Sequence, residues 1–197
     1  MFLWKRPTDE TVRSLLERQS SLPFSYTEVG SSRSMPPTGY NIDHNRVQLG
    51  QGDRAFKSAI AAIRQWRMFS VPGVELCWPD ARLEPGTIVA VRVAHLGFWS
   101  LNFCRIIYLI DDNGAVERFG FGYGTLAEHA ERGEERFTVE WNRADDSVWY
   151  DILAFSRPAA LLARLAYPYS RERQEQFARE SLRAMKAAVA TTDHHNE

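Results

Sequence analysis

The chemistry open to this chain rests on a few polar side chains that periodicity places among apolar neighbours. In the run Thr87 to Leu96, alternation groups Val89, Val91 and Val93 with His95 and sets Arg92 on the other face, so His95 is expected to look inward. By the same rule Asn102 and Tyr108 share a face with Cys104, Ile106 and Ile110, opposite Arg105, and Tyr150 goes with Ile152 and Ala154, opposite Asp151. Gln174 falls inside the apolar stripe of the last helix. His95, Asn102, Tyr123, Tyr150 and Gln174 would then converge in an apolar pocket, which is the composition of a small-molecule site. The alternative is a satisfied core network of imidazole, amides and phenols. A catalyst built from them would use His95 as general base near neutral pH and Tyr150 or Tyr123 as donor to an enolate, as a cyclase or isomerase requires.

Other chemistries find less support. The chain has no Gly-rich phosphate loop before a helix, no His-Glu-x-x-His, no Cys-x-x-Cys and no Gly-x-Ser-x-Gly elbow. Phe119 to Gly124 alternates aromatic and glycine, which suits a sharply bent strand or a close approach better than a phosphate cradle. His194 and His195 sit in the tail and His44, His95 and His129 are scattered; Glu128, His129 and Glu131 read as a solvated acidic loop, so no metal and no cofactor are expected. Glu135, Glu140, Asp145, Asp146 and Asp151 fall on neighbouring strands, where hairpin carboxylates routinely face solvent, so a glycosidase-like pair is not expected.

Composition sets the frame. A chain of 197 residues, 44% hydrophobic and 25% charged with net charge −1, suits one domain, or one domain with an arm, that buries its core without staples. Cys77 and Cys104 make neither a disulfide framework nor a four-ligand zinc site. A pI near 6.5 lacks the basic footprint of a dedicated nucleic-acid binder. Charge is uneven: residues 111 to 146 sum to −6 and residues 157 to 189 to +4, faces expected to attract within one monomer or at a dimer contact. No apolar run approaches the roughly 20 residues that span a bilayer, so membrane insertion is not expected. Met1-Phe2-Leu3-Trp4 before Lys5-Arg6 reverses the order of a secretory signal, which makes the cytoplasm the default.

The elements that must position these residues follow from spacing. Residues 8 to 20 read as an amphipathic helix capped by Thr8 or Asp9, and residues 21 to 39 as an extended arm rich in turn formers. Ile42 to Leu49 is a strand, and a helix capped by Asp53 runs to about Trp66 with Phe56, Ala59, Ile60 and Ile63 on one side. Six β-branched or aromatic runs follow, starting at Val74, Thr87, Leu101, Ala115, Glu134 and Val148, with turn chemistry such as Pro85-Gly86 and Asp112-Asn113-Gly114 between them. Short connections imply successive antiparallel hairpins. After Arg157-Pro158 the pattern turns helical, breaks at Pro168 and resumes from about Ser170 to Val189, leaving 191–197 as a disordered tail. The buried stripe of that last helix holds the small residues Ala178, Ser181 and Ala188, which would either hold helix and sheet apart around a cavity or let them approach closely. Because Leu101 to Ile110 is apolar on both faces, the convex face also needs cover, from the arm or from a second subunit. The rings of Phe24 and Tyr26 are expected to pack there.

This order resembles the α+β helix-grip fold of the START and polyketide-cyclase superfamily (SRPBCC), a curved antiparallel sheet of about seven strands wrapping a long C-terminal helix around an apolar pocket. Leu22 to Tyr26, Trp66 to Phe69, Phe119 to Leu126, Gly133 to Phe137 and Ser147 to Asp151 resemble the bacterial and plant family called domain of unknown function nineteen-ninety. That resemblance specifies a family and no activity. The expected organisation is an N-terminal helix and arm (1–39), a helix-grip domain (40–190) and the tail. The expected function is to bind an apolar or amphipathic small molecule between sheet and helix, with His95, Asn102, Tyr123, Tyr150, Gln174, Ala178 and Ser181 on its walls. Two other readings stand beside it: a cyclase-like or isomerase-like enzyme in the same cavity, with His95 as the catalytic candidate, and a homo-oligomeric interaction protein with a filled core.

Overall fold

A sheet that is apolar on both faces needs two covers, and here they come from opposite ends of the chain. The computed structural model describes residues 1–127, 129, 131–158 and 167–193. The strands are β1 (Phe2–Leu3), β2 (Asn41–Gln51), β3 (Val74–Leu76), β4 (Ile88–Ala94), β5 (Trp99–Asp112), β6 (Val116–Thr125), β7 (Glu131–Asn142) and β8 (Ser147–Pro158). The helices are α1 (Asp9–Gln19), α2 (Gly52–Arg64) and α3 (Tyr167–Asp193), with 3-10 turns at Ser31–Arg33 and Arg67–Phe69. Seven strands form one curved antiparallel sheet in the order β2-β8-β7-β6-β5-β4-β3. β1 pairs with β5 at Ser100 and Trp99, beyond the end of β6. This is the helix-grip arrangement expected from the element order.

β2 and β3 lie at opposite edges, so the chain must cross the sheet between them, and α2 makes the crossing on the concave side. Its buried residues Phe56, Ala59 and Ile63 join one core with Phe121, Phe137, Val139, Tyr150, Met185 and Val189. The Phe56 ring meets Trp141 at 5.7 Å and Trp66 meets Phe121 at 5.0 Å.

The convex side is covered by the arm. Val12 and Leu15 of α1 pack on Ala90, Leu101, Phe103 and Leu126, and Thr8 caps the helix through the Thr11 amide at 3.2 Å. Two arginines in the middle of apolar strands fasten it. Arg92 donates to the Pro7 carbonyl and to Asp9, each at 2.9 Å. Arg105 donates to the carbonyls of Gln19, Ser20 and Leu22 at 2.9–3.3 Å, at the end of α1 where helix carbonyls lack intrahelical partners. Further along, Phe24 bridges to Leu126. Tyr26 is buried, as expected of that ring.

Several local expectations are corrected. Gln51, not Asp53, occupies the cap position of α2; Asp53 lies in the first turn and pairs with Lys57 at 2.7 Å. The helix stops at Arg64 because Trp66 adopts φ +56°, where its buried indole donates to the Ala81 carbonyl at 2.9 Å. Pro168 does not interrupt α3: it sits in the first turn, where a missing N–H takes no bond away. The helix expected between Arg157 and Pro168 falls mostly outside the described residues, and α3 continues to Asp193, with Thr191 donating to the Ala187 carbonyl at 2.8 Å. Residues 194–197 of the expected tail are also outside the description. Within the acidic stretch Arg118 pairs with Glu140 and Arg143 with Glu117, while Arg171 of the basic stretch pairs with Asp43.

A β-bulge changes one face assignment. Ile106 lies opposite Tyr123 but Tyr108 opposite Gly122, so the extra residue flips Tyr108 and Ile110 off the face of Asn102. Tyr108 instead bonds Ser32 of the arm at 2.6 Å on the convex side. The glycines of β6 make room there: a Cβ on Gly122 would overlap the Tyr108 ring, and one on Gly124 the Tyr26 hydroxyl. Gly124→Ala is therefore expected to destabilise the fold by about 1–3 kcal/mol, the range for an overpacked core, and to speed proteolysis within residues 21–39. An unchanged urea midpoint would contradict this packing.

Candidate functional site

The concave face is filled at one end and open at the other, and side-chain size decides which. Under α2 and the C-terminal half of α3 the inward residues are large. Under the N-terminal half of α3 the inward positions of β7 and β8 hold Gly133, Ala154 and Ser156, and β5 contributes Ser100. The space left is a cavity of about 320 Å³, walled mainly by apolar groups including Phe69, Val91, Val93, Ile152, Phe177 and Ala178. Phe2 and Tyr169 line it and are 62% and 37% exposed, which marks its mouth.

Of the residues expected at a site, His95, Asn102, Tyr123, Gln174 and Ala178 line this cavity. His95 stands at the rim, stacked on Phe98 with centroids 4.5 Å apart. Its Nδ1 meets the Tyr169 hydroxyl and its Nε2 the Ser100 hydroxyl, both at 2.9 Å. Burial, and then Arg173, push its pKa down. Asn102 donates to the same Ser100 oxygen at 3.1 Å, and Gln174 donates to Ser156 at 3.3 Å while accepting from Arg171 at 3.0 Å. Tyr150 and Ser181 are not brought to the wall: their hydroxyls bond each other at 3.1 Å, fully buried in the filled half. Ser181 is thus small because it meets a phenol, and Ala188 packs against the same filled core.

The group that sequence reasoning left in solvent is Glu135. On β7 the inward positions run Glu135, Phe137, Val139, Trp141, so alternation carries the carboxyl onto the cavity wall beside three core residues. A transverse row crosses the sheet there: Asp43 on β2, Ala154 on β8, Glu135 on β7 and Tyr123 on β6. Ala154 leaves the gap, and Tyr123 donates to Glu135 Oε2 at 2.8 Å. Among the described residues no donor meets the other oxygen, Oε1. Burial pushes the Glu135 carboxyl up to about 7, Asp43 adds to the rise and the Tyr123 hydrogen bond opposes it.

Two residues expected in a solvated loop also reach the cavity. Burial lifts Glu131 to about 7 against the pull of Arg171, and burial drives His129 down to about 3. His129 Nδ1 accepts from the Glu131 amide at 3.0 Å, so the neutral ring carries its proton on Nε2. Glu128 lies outside the described residues.

Comparison with known proteins places this geometry in context. A family model described as "Domain of unknown function (DUF1990)" matches residues 25–184. A "UPF0548 protein" of Deinococcus radiodurans is 35% identical over 96% of this chain and 99% of its own length. Among solved structures, the hypothetical protein jhp0584 of Helicobacter pylori is similar in fold, with TM-score 0.51 and 13% identity over 76% of this chain and 88% of its own. Human STARD10 is similar at TM-score 0.46 and 11% identity over 96% and 82%.

Proposed function

For a chain that belongs to the DUF1990 family, whose description assigns no activity, we propose from the cavity that it binds a small apolar or amphipathic molecule between the sheet and α3. The observation that carries this reading is an apolar space of about 320 Å³, at the small end of the roughly 300–1,000 Å³ typical of ligand pockets, with a few polar groups set on one wall.

The test is uptake of an uncharged fluorescent dye such as N-phenyl-1-naphthylamine. Wild type is expected to bind it, and Ala178→Phe, which projects a ring into the cavity from α3, to reduce binding at least about tenfold while the circular dichroism spectrum is unchanged. Wild type that takes up no apolar probe would overturn the reading.

A further inference from the structure

We propose that this cavity selects an apolar molecule carrying a protonated amine, with the ammonium donating to the open Oε1 oxygen of Glu135. The inference rests on the cavity being a small-molecule site and adds the chemistry of the head group. Its basis is a mismatch between positive and negative groups on the cavity wall. Arg171 is already bidentate on Asp43, at 2.7 Å for the longer contact, and Arg173 is turned to Gln176 and the Ala94 carbonyl. Both cations that line or flank the space are thus engaged, whereas Glu135 meets only a neutral phenol. An anionic head would lie beside Glu135 and Glu131 with the arginines occupied. An alcohol would find an acceptor, yet a charge-assisted hydrogen bond is about twice as strong as a neutral one.

The groups around Glu135 do not compete for the role. Tyr123 of β6 holds one oxygen, and Tyr150 of β8 and Cys104 of β5 are neutral groups whose pKa values burial raises. Asp43 of β2 is negative and paired, and from α3 the nearest charge, Arg171, acts on Asp43 and Glu131. An incoming ammonium would complete the carboxylate's bonding with a donor of matching charge, and the fall in the carboxyl's proton affinity on pairing makes the pair self-reinforcing.

The experiment displaces N-phenyl-1-naphthylamine from the full chain with octylamine, octanol and octanoate at submicellar concentration, between pH 5 and pH 8. Octylamine is expected to bind about tenfold or more tighter than octanol at pH 8, with the preference shrinking toward pH 5 as Glu135 takes up its proton. Glu135→Gln should abolish the preference and keep octanol binding. Tyr123→Phe, which leaves the carboxyl and removes its donor, should move the pH midpoint of the preference upward, a shift that a merely structural Glu135 would not produce. It also serves as the readout if Glu135→Gln fails to fold. Octanol binding as tightly as octylamine, octanoate binding tightest, a preference that survives Glu135→Gln, or an unmoved midpoint would each overturn the inference and leave the cavity's function standing. Failure of dye and all three probes to bind would overturn both.

Discussion

Replacing Glu134 with alanine is expected to destabilise the protein by about 3–5 kcal/mol, since three neutral donors lose their acceptor at roughly 1–3 kcal/mol each when buried and less when half-buried. Glu134 is 3% exposed and lies on the convex face of β7 beneath the arm. Its Oε1 accepts from the Tyr26 hydroxyl at 2.8 Å and from the Gly30 amide, and its Oε2 accepts from the Ser32 amide at 2.9 Å. Alanine would strand two buried donors and one half-buried one at once. The lost bonds are the ones that hold residues 26 to 32 to the sheet, so the urea midpoint should fall and cleavage within residues 21–39 should accelerate together. Tyr26→Phe removes a single donor and keeps the ring against Phe155 at 5.9 Å, so it should lose only about 1–2 kcal/mol. Equal midpoints for wild type and Glu134→Ala would mean that the arm is held by apolar contact alone.

The two neighbouring carboxyls, Glu134 and Glu135, illustrate what the sequence made legible. Strand alternation assigns them to opposite faces, yet their shared charge reads locally as a solvated hairpin. Only the covers, the arm on one face and α3 on the other, make Glu134 buried and Glu135 half-buried, and those covers come from more than 100 residues upstream and from the last helix. The arm's docking was legible in the rings of Phe24 and Tyr26. Its path was not: Arg92 and Arg105 were placed on the convex face, but nothing local says that a helix end would lie over them. The bulge at Ile107 was equally silent, and it alone moved Tyr108 from the cavity face to the arm. Ala178 was read as a cavity residue and does line it, whereas Ser181, one turn further on, answers to Tyr150. The difference lies in how far along the sheet α2 reaches, which no residue of α3 encodes.

Glu135→Gln is expected to make the protein more stable above pH 7, and the sign follows from the carboxyl's environment. Burial raises the folded pKa from 4.5 to about 7. A raised acid contributes its full stability below the unfolded pKa, where it is neutral in both states, and loses it as pH rises through the folded pKa, because the folded state must then hold a buried charge. The penalty at pH 8 is about 3 kcal/mol at most, from 1.36 kcal/mol per unit over this interval, and less where the cavity admits water. Glutamine has no such transition and keeps an acceptor for Tyr123. Urea titrations should therefore show the variant ahead of wild type at pH 8 and the two converging near pH 4.5; Glu131, lifted in the same direction, is common to both and cancels. A variant less stable than wild type at pH 8 would mean that Glu135 is a structural anchor. The expected result has the opposite meaning. A carboxyl that weakens its own fold, set on a cavity wall with one oxygen that no donor among the described residues meets, is most simply maintained by what it binds, and an ammonium placed on Oε1 should raise stability at pH 8.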